Sequence, residues 1–213
     1  MHLIHRGIVN KRFKENLLTS FKWSFKKGFG IETDIHATKD NEFICFHDFT
    51  LKRIFKKNLS VKNLNYSNIN KISTKLGKQV PHLKDLLKSS NNKHPLFIEI
   101  KPLLSKSLLK KLIKETSKYT KCVFISFKHE NIFQLLSIKK DTKVGLSFCP
   151  PTSVKKIVEK SNDPKINCLI LDKSYLRNEK IQKLKIEKYY YTIKTKSEFK
   201  KFKKKNNLIF ENL

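Results

Sequence analysis

Glycine is scarce, with five in 213 residues. No glycine-rich loop follows the first β-rich run, "LIH", which argues against a dinucleotide-binding open sheet. No stretch of about 18 consecutive apolar residues occurs, so no membrane-spanning segment is expected. The start, "MHLIHRGIVNKRF", lacks the basic, apolar and small-residue sections of a secretion signal. A cytoplasmic location is therefore expected. The four cysteines, Cys45, Cys122, Cys149 and Cys168, stand singly, and no CxxC is present. Three of them lie in apolar, strand-like runs, where a thiol acts as a small hydrophobe. Structural roles are expected for them, rather than metal binding or catalysis.

Acidic residues are few: 18 against 47 Lys and Arg, a net charge of +29. Zinc-finger spacing, arginine-rich tracts and glycine-punctuated aromatic motifs are all missing, so no specific nucleic-acid partner is expected. The lysines are spread along the chain among Asn, Ile and Phe, the mixture an AT-rich coding sequence produces. A positive field of this kind also attracts anionic substrates or acidic membrane surfaces. The length suits one domain with a full core, taken as residues 1–213.

What is present is a repeating pattern. Short β-rich runs recur at 3–5, 31–36, 43–47, 95–101, 122–127, 143–148, 166–172, 188–193 and 208–212. Lys-rich segments with helical spacing separate most of them. Leu17, Leu18, Phe21 and Phe25 share one helical face, and Leu104, Leu108, Leu109 and Leu112 share another. Strands alternating with helices indicate parallel βα units. With 43–47 taken as a return strand after the turn "TKDNE", eight strands remain. They predict a compact TIM (β/α)8 barrel. The stretch from 49 to 80 reads as an irregular polar connection over the barrel mouth. No closing helix follows the last strand, so Leu208 and Phe210 are expected to need cover, which leaves room for a homo-oligomer.

The stretch "FGIETDIHATKDNEFICFHD" carries Glu32 and Asp34 two apart. Strand side chains alternate, so both carboxylates point to one face. Buried together, they need a metal, an arginine or a shared proton between them. In a barrel, functional groups sit at the C-terminal ends of the strands. There the first strand ends in His5-Arg6-Gly7, the return strand in His47-Asp48, and the third carries Glu99 and Lys101. Carboxylate oxygens suit Mg²⁺ or Ca²⁺. Arg and Lys suit phosphate oxygens, and paired histidines move protons near neutral pH. Together they describe metal-assisted cleavage of a phosphate ester.

In order and approximate spacing, "HRG", "KENLLTSF", "GIETDIHATKDNEFICFHDFTLKR", "VPHLKDLL" and "FIEIK" resemble the glycerophosphodiester phosphodiesterase family. The resemblance covers residues 1 to 101. It implies hydrolysis of small glycerophosphodiesters to glycerol 3-phosphate and an alcohol. By it, Glu32, Asp34 and Glu99 bind the divalent metal, Mg²⁺ or Ca²⁺. His5 and His47 form the acid/base pair, while Arg6 and Lys101 hold the phosphate. Asp48 is read as a cap or orienting group outside the metal set, and Arg53 matches the family's "TLxR" pattern. The other five histidines are read as ordinary. The second half of the chain is less similar: Tyr191-Thr192 stands where the family commonly has Trp-Thr, and "LIFENL" lacks the usual Thr-Asp-x-Pro ending. Two rival readings are a related enzyme acting on lysophospholipids, which an exposed apolar patch at the mouth would favour, and a non-enzymatic nucleic-acid binder.

Overall fold

The computed structural model describes residues 1–211. Eight parallel strands close on themselves. In barrel order they are β1 (His2–His5), β2 (Gly30–Ala37), β4 (Leu96–Ile100), β5 (Cys122–Ser126), β6 (Val144–Phe148), β7 (Cys168–Asp172), β8 (Glu187–Ile193) and β9 (Asn207–Phe210). Pairing of β1 with both β2 and β9 closes the ring. A short antiparallel strand, β3 (Phe43–Cys45), pairs with the upper end of β2. The helices outside are α1 (Leu18–Lys26), α2 (Lys52–Phe55), α3 (Tyr66–Lys75), α4 (Leu83–Ser90), α5 (Lys106–Thr116), α6 (His129–Ile138), α7 (Val154–Ser161), α8 (Glu179–Gln182) and α9 (Lys196–Phe202).

Alternation along the strands explains the layering. Ile31, Ile35, Ile98, Ile100, Leu169 and Leu171 point outward and pack with Phe21, Leu86, Leu109, Leu135 and Ile157 from the helices. The intervening residues point inward. Leu3, Phe97, Ile125, Cys168, Ile170, Tyr189 and Ile209 fill the lower barrel. Above them the inward positions become polar, and that change in chemistry marks the mouth. Several helices start on a capping side chain just past a strand: Ser105 accepts from the Leu108 N–H, Ser153 from Lys156, Asn178 from Ile181 and Thr195 from Glu198.

Two expectations need correction. The segment from 49 to 80 is not an irregular polar strap. It holds α2, a 3-10 turn (Val61–Asn63) and α3, and it encloses its own apolar cluster. Leu51, Phe55, Val61, Ile69 and Val80 bury against Ile44 and Phe46. These apolar residues are too widely spaced for either strand or helix periodicity to reveal them. The last strand also needs no partner. Leu208, Ile209 and Phe210 are all buried, and the Phe210 ring lies 4.7 Å from Phe199 of α9 and 5.3 Å from Phe29. The apolar strip that suggested self-association is covered within the chain.

Because Phe46 belongs to the 49–80 cluster and directly precedes His47, loosening that cluster should be felt at the site. Ile69→Ala removes a fully buried side chain and should cost about 2–5 kcal/mol of stability. Urea denaturation followed by circular dichroism checks this; an unchanged midpoint would deny the cluster its structural role.

Candidate active site

The mouth is assembled from the barrel's first three staves. β1 ends at His5, and the next two residues, Arg6 (φ 56°) and Gly7 (φ 74°), both take left-handed backbone. At Gly7 a Cβ would come 2.4 Å from Ser20 Oγ, so the position admits only glycine. The reversal holds Arg6 at the rim. Its N–H donates to the Glu32 carbonyl at 2.8 Å, and its own carbonyl accepts from the Asn16 N–H at 2.9 Å.

Strand register brings the acids together. His5 stands opposite Glu32 across β1 and β2, and Asp34 opposite Glu99 across β2 and β4. One oxygen each of Glu32, Asp34 and Glu99 lies within 4.8 Å of the others, and all three residues are buried. Lys101 Nζ sits 2.8 Å from Glu99 and 3.5 Å from Asp34. Arg6 Nε lies 3.2 Å from Asp34 Oδ2, an ion pair whose N–H is not aimed along a hydrogen bond. Asn16 donates to the same oxygen at 3.2 Å and is itself held by Thr33 at 2.8 Å. Glu32 Oε2 is buried with no hydrogen-bond donor among the described residues.

The protonation directions follow from this crowding. Burial, then the charges of Asp34 and Glu99, push Glu32 well above the usual carboxylate range. Burial and Asp34 push Glu99 up to about 7. Burial acts the same way on Asp34, but Arg6 and Lys101 outweigh it and hold that carboxyl low. The cluster therefore lacks positive charge.

The hairpin delivers His47. Beyond β3, the Phe46 N–H donates to the Asp34 carbonyl at 3.0 Å, and His36 Nε2–H donates to the His47 carbonyl at 3.1 Å. Burial lowers His36 to about 4, so it stays neutral. His47 Nδ1 pairs with Asp48 at 2.6 Å. Arg53 grips Asp48 at 2.7 Å and also binds Glu15, which in turn lies 3.4 Å from Arg6. His5 is held in the same manner from the end of the adjoining stave β9, its Nδ1 being 2.9 Å from Glu211. In both histidines a carboxylate takes Nδ1 and leaves Nε2 for the mouth. Between them lies a cavity of about 190 Å³. Its floor is Ile125, Ile170 and Ile209, and its far wall is Phe127 and Tyr191, whose rings meet edge to face at 5.9 Å.

The profile of the glycerophosphoryl diester phosphodiesterase family matches residues 5–209. The chain belongs to this family. A glycerophosphodiester phosphodiesterase of Caldanaerobacter subterraneus is 28% identical over 160 residues, 68% of this chain and 65% of that protein. A human lysophospholipase D is 29% identical over 134 residues, 56% of this chain and 42% of that protein. These matches span less than two thirds of either relative's length. The crystal structure of a phosphodiesterase from Oleispira antarctica, in complex with sn-glycerol-3-phosphate, superposes with a TM-score of 0.83 at 16% identity. That superposition covers 99% of this chain and 92% of the other, and it establishes the fold as the family's barrel.

In this family member the seven residues singled out from the sequence, His5, Arg6, Glu32, Asp34, His47, Glu99 and Lys101, all meet at one mouth. Two anchors went unread, since Glu15 and Glu211 carried no expectation; Asp48, read as a cap or orienting group, holds His47 Nδ1. Glu15 lies 38 residues from Arg53, and Glu211 lies 206 residues from His5, so no local spacing could pair them. The one available signal was scarcity: in so basic a chain, each acid is a candidate for a specific partner. Cys45, Cys122 and Cys168 are buried, and Cys149 is exposed; all four are free thiols.

The hydrogen bond from His5, opposed by partial burial, holds Glu211 down to about 2 from an ordinary 4.5. A depressed carboxyl contributes stability in full above its unfolded value and loses it as pH falls through the folded one. Glu211→Gln should therefore melt below the parent at pH 7. The gap should narrow below pH 4.5 and vanish toward pH 2. Melting curves across that range test the pair, and a gap independent of pH would contradict it.

Proposed function

We propose that the chain hydrolyses glycerophosphodiesters to glycerol 3-phosphate and an alcohol at this mouth, as a single barrel domain. The observation that carries the reading is the pair of histidines lining the cavity beside a buried carboxylate trio, each with Nδ1 occupied by an acid, which leaves Nε2 as the nitrogen available for proton transfer. Family membership supports the substrate class.

The trio fits a hard divalent cation, Mg²⁺ or Ca²⁺. All its donors are carboxylate oxygens, and Glu32 Oε2 is buried without a donor. Glu32, Asp34 and Glu99 would hold the ion, which when bound supplies a Lewis acid for phosphate and hydroxyl oxygens. The remaining work belongs to the chain. Arg6 and Lys101 bind and orient the phosphate through charge-assisted hydrogen bonds. One histidine Nε2 accepts the proton of the attacking hydroxyl, either water's or the substrate's own, the latter giving a cyclic phosphate that water then opens to glycerol 3-phosphate. As the new phosphorus–oxygen bond forms, the ester bond to the alcohol breaks. The other Nε2–H gives its proton to that departing oxygen. Asp48 and Glu211 fix the tautomers that make both transfers available.

Chelation should abolish turnover, and added Mg²⁺ or Ca²⁺ should restore it. Glu99→Gln should lower the rate by at least about 100-fold, the scale seen when preorganised charge is removed. A coupled assay for glycerol 3-phosphate, with and without chelator, decides this; full activity in excess chelator refutes the metal role.

The two histidines arrive from different strands and are expected to lie on opposite sides of the phosphorus. His5→Ala and His47→Ala should each cut kcat strongly while leaving metal affinity nearly intact. A nitrophenyl ester needs no protonation of its leaving group, so it should rescue only the variant that lacks the acid. Rescue of both variants, or of neither, would sink the division of labour.

A further inference from the structure

Seven large apolar side chains are exposed among the described residues, and four of them sit on one arc of the barrel rim. Phe49 (53% exposed) and Leu59 (41%) lie in the loop after β3, Leu103 (58%) follows β4, and Phe127 (40%) follows β5. The staves β2 with β3, β4 and β5 are consecutive in the sheet, so the loops above them are neighbours. Thr50 bridges Ser60, and the Leu51 N–H donates to the Leu59 carbonyl, which sets Phe49 and Leu59 beside one closed loop end. Single exposed apolar residues are ordinary, but a group of them at the mouth of a site marks an interaction surface.

The same arc is basic. Lys52, Lys56, Lys57, Lys106 and Lys128 are exposed, and none is ion-paired among the described residues. The acids nearby are mostly engaged: Asp48 by His47 and Arg53, Glu15 by Arg53, Asp40 by the Tyr66 N–H and Glu42 by Lys84 and Lys111, which leaves Glu130. We propose that this arc docks on a bilayer surface containing anionic lipids, so that the site takes glycerophosphodiesters carrying an acyl chain from that surface. The second half of this statement rests on the hydrolytic reading; the docking does not. Apolar groups inserted at the headgroup level and lysines facing anionic lipid are the two contributions that hold a peripheral protein on a membrane. Phe127 belongs both to the exposed arc and to the cavity wall, so an apolar path runs from the rim to the site. A second copy of the chain is a poor occupant, because a two-fold interface would set these lysines against one another. Nucleic acid would account for Phe49 and Phe127, whose rings can stack on bases, but not for Leu59 and Leu103, which offer no stacking face.

The test is co-flotation with vesicles of phosphatidylcholine alone and of phosphatidylcholine mixed with phosphatidylglycerol. Flotation with the mixed vesicles, weakened by salt, supports docking. The double variant Leu59→Ser/Leu103→Ser should bind them about tenfold more weakly or less tightly still, given two apolar side chains withdrawn from the interface. It should keep its turnover of soluble glycerophosphocholine and lose turnover of lysophosphatidylglycerol in those vesicles. Equal flotation of parent and double variant, or none with the mixed vesicles, overturns the docking. So does a parent dimer in sedimentation that the double variant dissociates, which would assign the arc to a second copy. Flotation without hydrolysis of either substrate supports the docking while refuting the hydrolytic reading, so the two failures are told apart.

Discussion

Three buried carboxylates against two cations is the imbalance on which the rest of the mouth depends. Glu32, Asp34 and Glu99 share a space in which like charges repel strongly, and Arg6 and Lys101 offset only part of that repulsion. The remaining deficit must be met by a proton or a metal ion. Without a metal, Glu99 rises to about 7 and Glu32 rises well above its usual range, which are proton-holding states. A fold chosen for stability alone would replace such a cluster with apolar side chains. Its presence above an apolar floor of Ile125, Ile170 and Ile209 is therefore evidence about function and not about packing.

The barrel holds this cluster in place by register. Glu32 and Asp34 share a face because strand side chains alternate, and Glu99 meets Asp34 because β4 pairs with β2 at those two residues. A slip of one residue in either strand would turn the acids outward and bring Ile31 or Ile98 into the mouth. The outward rows of Ile and Leu under α1, α4 and α5 oppose that slip, since all of their burial would be lost. Packing on the outside of the sheet thus fixes charge on the inside. The 49–80 cluster acts in the same way one step further out, anchoring Phe46 and through it the backbone of His47.

Most of this was legible in the chain itself. The eight parallel strands showed as β-rich runs separated by helical spacing, and the site showed as polar residues at the ends of those runs. Motifs such as "HRG" and "GIETDIHA" could be read because every residue in them is constrained by its neighbours, down to the glycine that must turn left-handed. The anchors were not legible. Glu211 meets His5 only because the barrel closes, joining the two ends of the chain across β9 and β1. Glu15 reaches Arg53 only because α1 and α2 flank the same mouth. The core of the 49–80 segment was hidden for a related reason: its apolar residues come from two short helices and a turn, none long enough to show a period.

Charge is distributed in opposite senses on the surface and within the site, and this links metal and phosphate recognition. The surface is strongly positive, with 47 basic residues to 18 acidic ones, a field that draws anions from solution. Inside the mouth the order reverses. Arg6 and Lys101, the two groups suited to phosphate, are already committed to Asp34 and Glu99. They cannot serve phosphate and carboxylates at full strength together. Were Glu32, Asp34 and Glu99 to hold a divalent cation, its charge would offset theirs and leave Arg6 and Lys101 freer to bind phosphate. By reciprocity, under the proposed roles a phosphate bound to Arg6 and Lys101 would strengthen the hold of the acids on that cation. The ion pairs from Arg6 and Lys101 to the acidic trio are thus the contacts through which the proposed substrate and metal would favour each other.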